Sequence, residues 1–532
     1  MNQIRRKRTT SDRKSSGRFL SLTSSEKGSI SDTREPEGKD ERDGADASGV
    51  PEVTEEEADQ GWGRLCAFLQ RLGKKADSRS LNLAHCDLTA TDLLELATLL
   101  QCLPRLEEVD LSWNNLIGCS LLSLTSHLQL VGGIRTLRLC SCRLNADDIT
   151  ALGDAMQSVP LLEVLEVSWN VGVGGGGLRG LLGKLPPSLR ELHLQACQLT
   201  ADDAPQLGDM VSSLPKLCVL DVSGNPLLAE DTKESVSGGF RHLASSLFNA
   251  TALSRLVLQG CGLTSQSLES LGGTLQQLPA LRELDLSCNK DLSGGLSQLT
   301  AHLALLTRLE ILDLHLCSLT HADLQALIQV LPSLSELTEL DVSSNKEVGG
   351  VVHSLVSALP LPQFRRLPLN SCSLTMESFT AYVIRELRLS SCQLTTDDLN
   401  HLAVTCKRGF LSSLRVLDLS YNGPAAAGEA WASLFSAGGL VSLEDMDLSL
   451  RPATSASSAA WLPSLLSSLP RLPALTHLAM LRWTLGVQAQ DQLSHSLKKR
   501  DVQVEWDPPT GAGGKAHQPA DKDRAEETLD EE

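Results

Sequence analysis

Leu81-Asn82-Leu83-Ala84-His85-Cys86-Asp87-Leu88 is the stretch from which the rest of the chain can be read. Its L-x-L-x-x-C-x-L pattern returns with the cysteine at Cys142, Cys197, Cys261, Cys317, Cys372 and Cys392. Between these lie units of a second kind, L-x-L/V-S-x-N, with Asn114, Asn170, Asn225, Asn289, Asn345 and Asn422. The second apolar position of each L-x-L falls at Leu83, Leu111, Leu139, Val167, Leu194 and Val222, at spacings of 28, 28, 28, 27 and 28. The spacing is again 28, 28, 28 and 27 from Leu258 through Leu286, Leu314, Val342 and Leu369. A constant period over most of a chain means stacked units, because one such unit cannot bury its own faces.

Each unit reads as a short strand followed by a helical stretch. Helix starts are announced by a cap oxygen and an acid three residues on, at Thr89/Asp92, Asn145/Asp148, Thr200/Asp203, Thr320/Asp323 and Thr395/Asp398. Seven of the 14 cysteines occupy the one repeat position, where a small buried hydrophobe would close a turn. The asparagines would bond the backbone of neighbouring turns and form a ladder. Composition agrees: 41% of the 532 residues are hydrophobic, yet only eight Phe, seven Trp and two Tyr are present, so the core is aliphatic. The expected fold is an α/β leucine-rich-repeat solenoid, a horseshoe with a concave parallel sheet, outer helices and disordered termini.

The expected organisation is a polar tail over 1–60, a capping helix over 61–80, repeats over 81–475, a closing cap over 476–506 and an acidic tail over 507–532. Trp62, Leu65, Phe68, Leu69 and Leu72 form the apolar face of the first cap, and Trp483 belongs to the second. The N-terminal tail is split, with eight Lys/Arg against two Asp/Glu in residues 1–30 and three against twelve in 31–60. Two irregularities interrupt the period. Eight extra residues near Glu230–Ser237 suggest a loop. The step of 20 from Leu369 to Leu389 puts two cysteine-type units in a row and leaves one asparagine-type unit missing near residue 380, through either a lost segment or a genuine kink.

Alternating cysteine-type and asparagine-type units of this length resemble the ribonuclease-inhibitor-like subfamily of leucine-rich repeats. The resemblance implies a parallel sheet on the concave side and helices outside, and it brings no catalytic residues with it.

The motif search points away from catalysis. The chain has no G-x-x-x-x-G-K-[ST] and no H-E-x-x-H, and its histidines show no ligand spacing. Cys140/Cys142 is a C-x-C pair, but Cys142 is already the repeat cysteine. Gly172 to Gly177 reads as a flexible bend. No catalytic residue, cofactor or metal is expected. A net charge of −18 argues against a nucleic-acid binder, and the absence of a run of about 18 apolar residues argues against a membrane span. With no secretory signal at the start, the chain is expected in the cytoplasm. The cluster Arg5, Arg6, Lys7 and Arg8 is compatible with nuclear import. Thr9, Ser16 and Ser21 each sit three residues after an Arg, a spacing basic-directed kinases prefer.

The candidate site is the concave face. Alternate strand residues point outward, so the x of each L-x-L faces the hollow. Eight of these fourteen positions are acidic: Asp110, Glu166, Asp221, Asp285, Asp313, Asp341, Asp418 and Asp447. Such a lane would attract a basic protein. Leu-Asp-Leu-Ser could equally be repeat consensus that keeps the face soluble. Trp113, Trp169 and Tyr421 share the slot before the ladder asparagine, and aromatic residues are enriched in interface hot spots. The expected function is a non-enzymatic scaffold for a protein with a basic surface, without a small-molecule substrate. A blocker of a basic ribonuclease and a GTPase-activating protein are the alternatives.

Overall fold

Every L-x-L phrase opens with a three-residue strand whose central residue is buried. The computed structural model describes residue 73 and residues 77–230, 238–360, 364–372, 384–422, 429–452, 454–498 and 500–507. The tail residues Arg5 to Arg8, Thr9, Ser16 and Ser21, the apolar face from Trp62 to Leu72, and the unit expected near residue 380 lie outside the described residues. The chain forms two compact units, Met1–Leu367 and Pro368–Glu532.

In the first unit the strands are β1 (Ser80–Asn82), β2 (Glu108–Asp110), β3 (Thr136–Arg138), β4 (Val164–Glu166), β5 (Glu191–His193) and β6 (Val219–Asp221). They continue as β7 (Arg255–Val257), β8 (Glu283–Asp285), β9 (Ile311–Asp313), β10 (Glu339–Asp341) and β11 (Arg366–Pro368). Neighbours pair in parallel and in register, as in Leu81↔Val109 and Leu284↔Leu312↔Leu340 with Asp285↔Asp313↔Asp341 beside them. The central leucines and valines turn into the core, and the flanking residues turn to the opposite, open face of the sheet. This is a leucine-rich-repeat solenoid.

The cysteine-type helices start where the sequence places them. Thr89 caps Ala90–Leu99, Asn145 caps Ala146–Ala155, Thr320 caps His321–Val330 and Thr395 caps Thr396–Lys407, each as a reciprocal capping box with the acid at the third position. Thr264 and Ser267 form a further box that the acid-based pattern overlooks. Thr200 differs. Its bonds to Asp203 are made, at 2.9 and 3.0 Å, but the helix begins only at Ala204, with Pro205 in its first turn. A proline is tolerated there because its missing N–H would have no partner in that turn.

The capping acids do a second job. Asp148 also accepts from the N–H groups of Cys119 (2.7 Å) and Leu121 (3.0 Å), and Asp323 from Gly294 (2.8 Å) and Leu296 (3.0 Å). Each thereby staples its helix to the loop of the preceding repeat. Burial alone would raise the Asp323 carboxyl, but its bonds from Thr320, Gly294 and Leu296 hold it below the usual carboxylate range.

The asparagine ladder is regular. Asn170 Oδ1 accepts from Cys142 N (3.0 Å) and Leu144 N (3.0 Å), while its Nδ2 donates to the carbonyls of Leu139 and Val167, both at 2.8 Å. The repeat cysteines donate weakly to backbone carbonyls, as Cys142 does to Leu111 at 3.3 Å. Burial pushes the Cys142 thiol up to about 11 and Cys197 to about 12, so both behave as small apolar side chains.

The asparagine-type units carry shorter helices at first, Leu122–Thr125 and then a single 3-10 turn at Gly177–Gly180. The glycines before that turn are not a flexible bend. A Cβ on Gly172 would stand 2.4 Å from Asn145 Cα, and one on Gly174 would stand 2.1 Å from the Gln198 carbonyl oxygen. Close approach to the preceding and following turns requires them.

In the second unit, β12 (Glu386–Arg388), β13 (Val416–Asp418), β14 (Asp445–Asp447), β16 (His477–Ala479) and β18 (Gln503–Glu505) pair in parallel, beside the short pair β15 (Ala456–Ser457) and β17 (Trp483–Thr484). Leu369 N donates to Arg388 O (2.8 Å) and Ser371 N to Ser390 O (2.8 Å), so the two consecutive cysteine-type units are direct neighbours in the ladder. Trp483 is buried, donates from Nε1 to Leu448 O at 2.7 Å, and meets Trp461 edge-on at 4.9 Å. The segment expected as a closing cap therefore continues the strand plan of the repeats.

Candidate functional site

The open sheet face carries three residues from each repeat: the two ends of the strand and the residue two beyond it. In the first unit the acids at the strand ends are Asp110, Glu166, Asp221, Asp285, Asp313 and Asp341. Their distribution is uneven. Arg138 separates Asp110 from Glu166 and pairs with Glu166 at 3.5 Å. Val257 separates Asp221 from Asp285. Asp285, Asp313 and Asp341 stand side by side on three consecutive strands.

Part of this acidity is structural. Asp110 Oδ1 accepts from Ser112 N (3.0 Å), Asp285 from Ser287 N (2.9 Å), Asp313 from His315 N (2.9 Å) and Asp341 from Ser343 N (2.9 Å). Asp221 accepts from both the N–H (2.9 Å) and the hydroxyl (2.6 Å) of Ser223. The Leu-Asp-Leu-Ser phrase thus closes a local turn with one carboxylate oxygen.

The three adjacent carboxylates oppose one another. Burial pushes the Asp313 carboxyl up to about 7, with Asp285 and Asp341 adding to the rise. Asp285 is raised by burial too, with Asp221 contributing. None of Asp285, Asp313 and Asp341 forms an ion pair with a described residue, whereas the acids at the first strand position do: Glu283 with Arg255 (3.0 Å) and Glu339 with Arg366 (3.5 Å). That first row was not singled out from the sequence, although the same two-residue alternation assigns it to the face. His315, whose Nδ1 lies 2.7 Å from Ser343 Oγ, borders the lane on its other side.

The aromatic slot lies three residues beyond the strand-end acid. Trp113, Trp169 and, in the second unit, Tyr421 are 45%, 53% and 40% exposed. All three adopt left-handed backbone conformations, with φ of 65°, 63° and 57°. The slot is left-handed in the neighbouring repeats as well, and Gly224 (φ 69°) and Gly260 (φ 60°) fill it at no steric cost. Each slot N–H extends the ladder, as Trp113 N does to Cys140 O and Trp169 N to Gln195 O, both at 2.7 Å. His85, in the same slot one repeat before Trp113, stacks on its indole with 5.4 Å between ring centroids and 8° between planes. Leu116 and Val171 are exposed nearby.

In the second unit, Asp418 Oδ1 accepts from Ser420 N (3.0 Å) and Oγ (2.7 Å), Asp447 accepts from Ser449 N (2.8 Å), and the Tyr421 carbonyl accepts from Arg451 Nε (2.9 Å). Among the described residues, no group of three or more His, Cys, Asp or Glu is placed to hold a metal ion, and no helix is long and apolar enough to cross a membrane.

No family model matches the chain. The ribonuclease inhibitor of Sus scrofa is 31% identical over 334 residues, which cover 60% of this chain and 69% of the inhibitor. NACHT, LRR and PYD domains-containing protein 12 of Homo sapiens is 32% identical over 252 residues, 46% of this chain but 23% of that protein. Among solved structures, the LRR protein LIC12759 of Leptospira interrogans aligns over 82% of this chain and 97% of its own, at 17% identity and a TM-score of 0.40. With its alternating repeats and its likeness to the pig inhibitor, the chain belongs to the ribonuclease-inhibitor-like family of leucine-rich-repeat proteins.

Proposed function

We propose that the protein is a non-enzymatic scaffold that holds a basic protein on the open face of its repeat sheet, centred on Asp221, Asp285, Asp313 and Asp341. The observation that carries this reading is the register of Asp285, Asp313 and Asp341. Three like charges on adjacent strands repel one another, and Asp313 keeps its proton up to about 7 as a result of burial and that repulsion. A cationic partner turns the repulsion into attraction and speeds encounter. Asp110 and Glu166 extend the acidic face in the first unit, and Asp418 with Tyr421 offers a further contact on the second.

The test is affinity capture followed by mass spectrometry, with the full chain as bait beside a variant carrying Asp221→Asn, Asp285→Asn, Asp313→Asn and Asp341→Asn. Asparagine keeps the oxygen that accepts from the turn N–H, so the fold is preserved while the charge is lost. A basic protein retained by the native chain and lost by the variant supports the reading. Equal recovery on both baits contradicts it.

The likeness to ribonuclease inhibitors favours one particular client, a basic ribonuclease. Inhibition of pancreatic ribonuclease A by micromolar protein would support it. Full ribonuclease activity at that concentration would remove it and leave the wider scaffold reading in place.

A further inference from the structure

We infer that the notch between Trp113 and Trp169, floored by Ser141, takes the guanidinium of an arginine side chain on the basic partner. The inference rests on the scaffold reading and names the chemistry that the aromatic part of the face selects.

Trp113, Ser141 and Trp169 occupy the same slot in three consecutive repeats, with φ of 65°, 50° and 63°. Their N–H groups donate to Cys140, Ser168 and Gln195 carbonyls at 2.7, 2.9 and 2.7 Å, which fixes all three backbones in the ladder. Neighbouring strands are about 4.8 Å apart, so the two tryptophans stand about 10 Å apart, with one small side chain between them. His85 shows what a planar group does one repeat from Trp113: it lies nearly parallel to the indole, 5.4 Å away between centroids. One side of Trp113 is thus already occupied by a ring. The side towards Ser141 is not, and both indoles are about half exposed.

A planar group held between two rings at van der Waals distance needs about 7–8 Å, which this gap accommodates with a small lean of the indoles. The charge around it selects a cation. Strands β2 to β4, the residues just before them and the turns after them carry Glu107, Glu108, Asp110, Glu163 and Glu166 against Arg135, Arg138 and Arg143. Glu163 and Glu166 pair with Arg135 and Arg138, and Glu107 pairs with Arg79, which leaves Glu108 and Asp110 against Arg143. Tryptophan faces attract cations, and a guanidinium is planar and weakly hydrated where an ammonium is compact and strongly hydrated. The notch therefore prefers arginine to lysine.

The test measures binding of fluorescein-labelled octaarginine and octalysine to the full chain by anisotropy. The peptides carry equal charge, so the lane alone cannot explain the part of any preference that the notch variants remove. The native chain is expected to bind octaarginine about three- to fivefold more tightly than octalysine. W169G removes one wall and S141F fills the gap, and each is expected to erase that preference while octalysine binding stays unchanged. The two variants fail differently if either folds poorly. A preference that persists unchanged in both overturns the notch and leaves the acidic lane standing. A preference that survives in the four-asparagine variant, with octalysine binding also unchanged there, overturns the lane and keeps the notch. Failure of both peptides to bind the native chain overturns both.

Discussion

Asp313 stands in direct register with Asp285 on one neighbouring strand and Asp341 on the other, and burial with their repulsion lifts its carboxyl to about 7. Its folded value lies above the unfolded one, near 4, so the native state binds the proton more tightly. Stability from this group is present at low pH and is lost as pH rises towards about 7. Asp313→Asn removes the penalty while keeping the acceptor for His315 N. Thermal melts should show the variant more stable by up to about 4 kcal/mol above pH ~8 and indistinguishable below pH ~4. A variant less stable at the higher pH would contradict the repulsion.

Asp323 has the opposite balance. Bonds from Thr320, Gly294 and Leu296 hold its buried carboxylate low, so its contribution is lost as pH falls through its depressed value. Asp323→Asn turns an NH2 group towards backbone donors and should cost about 3 kcal/mol in urea unfolding at neutral pH. Native-like stability would mean that the staple to the preceding loop is ornamental.

Trp169 holds a left-handed backbone with its indole about half exposed, so only part of its packing is lost on truncation. Trp169→Gly should leave stability unchanged or raise it by about 1 kcal/mol in the same unfolding assay. A loss above about 2 kcal/mol would show that the indole packs on the fold instead of waiting for a partner.

Asn170 makes its bonds to four backbone groups of two repeats in a buried site. Asn170→Ala leaves those groups without partners and should destabilise by about 3 kcal/mol or more. Hydrogen exchange should quicken first at Cys142 and Leu144, whose N–H groups lose their acceptor.

Most of the fold is legible in the sequence because each repeat states the same pattern again. The L-x-L spacing locates the strands, and the Thr-x-x-Asp phrase locates most helix starts. What stayed hidden depends on neighbours in space. The second role of Asp148 and Asp323 is invisible until the preceding loop is beside them. The need for Gly174 appears only when the Gln198 carbonyl is in place. The candidate face was legible as a row of x residues, but the turn-closing bond of each aspartate and the pairing of Glu283 with Arg255 were not. Nor was the left-handed backbone of the slot that Trp113 and Trp169 occupy.

The measurement that bears most directly on the scaffold is the affinity of octalysine for the full chain at low ionic strength, with and without Asp221→Asn, Asp285→Asn, Asp313→Asn and Asp341→Asn. Four carboxylates spread over about 20 Å of sheet lie within the reach of an extended octapeptide of about 27 Å. The account predicts binding that weakens at least about tenfold in the variant and fades with added salt in the native chain. Equal affinity in the two proteins, both fully folded, would contradict it.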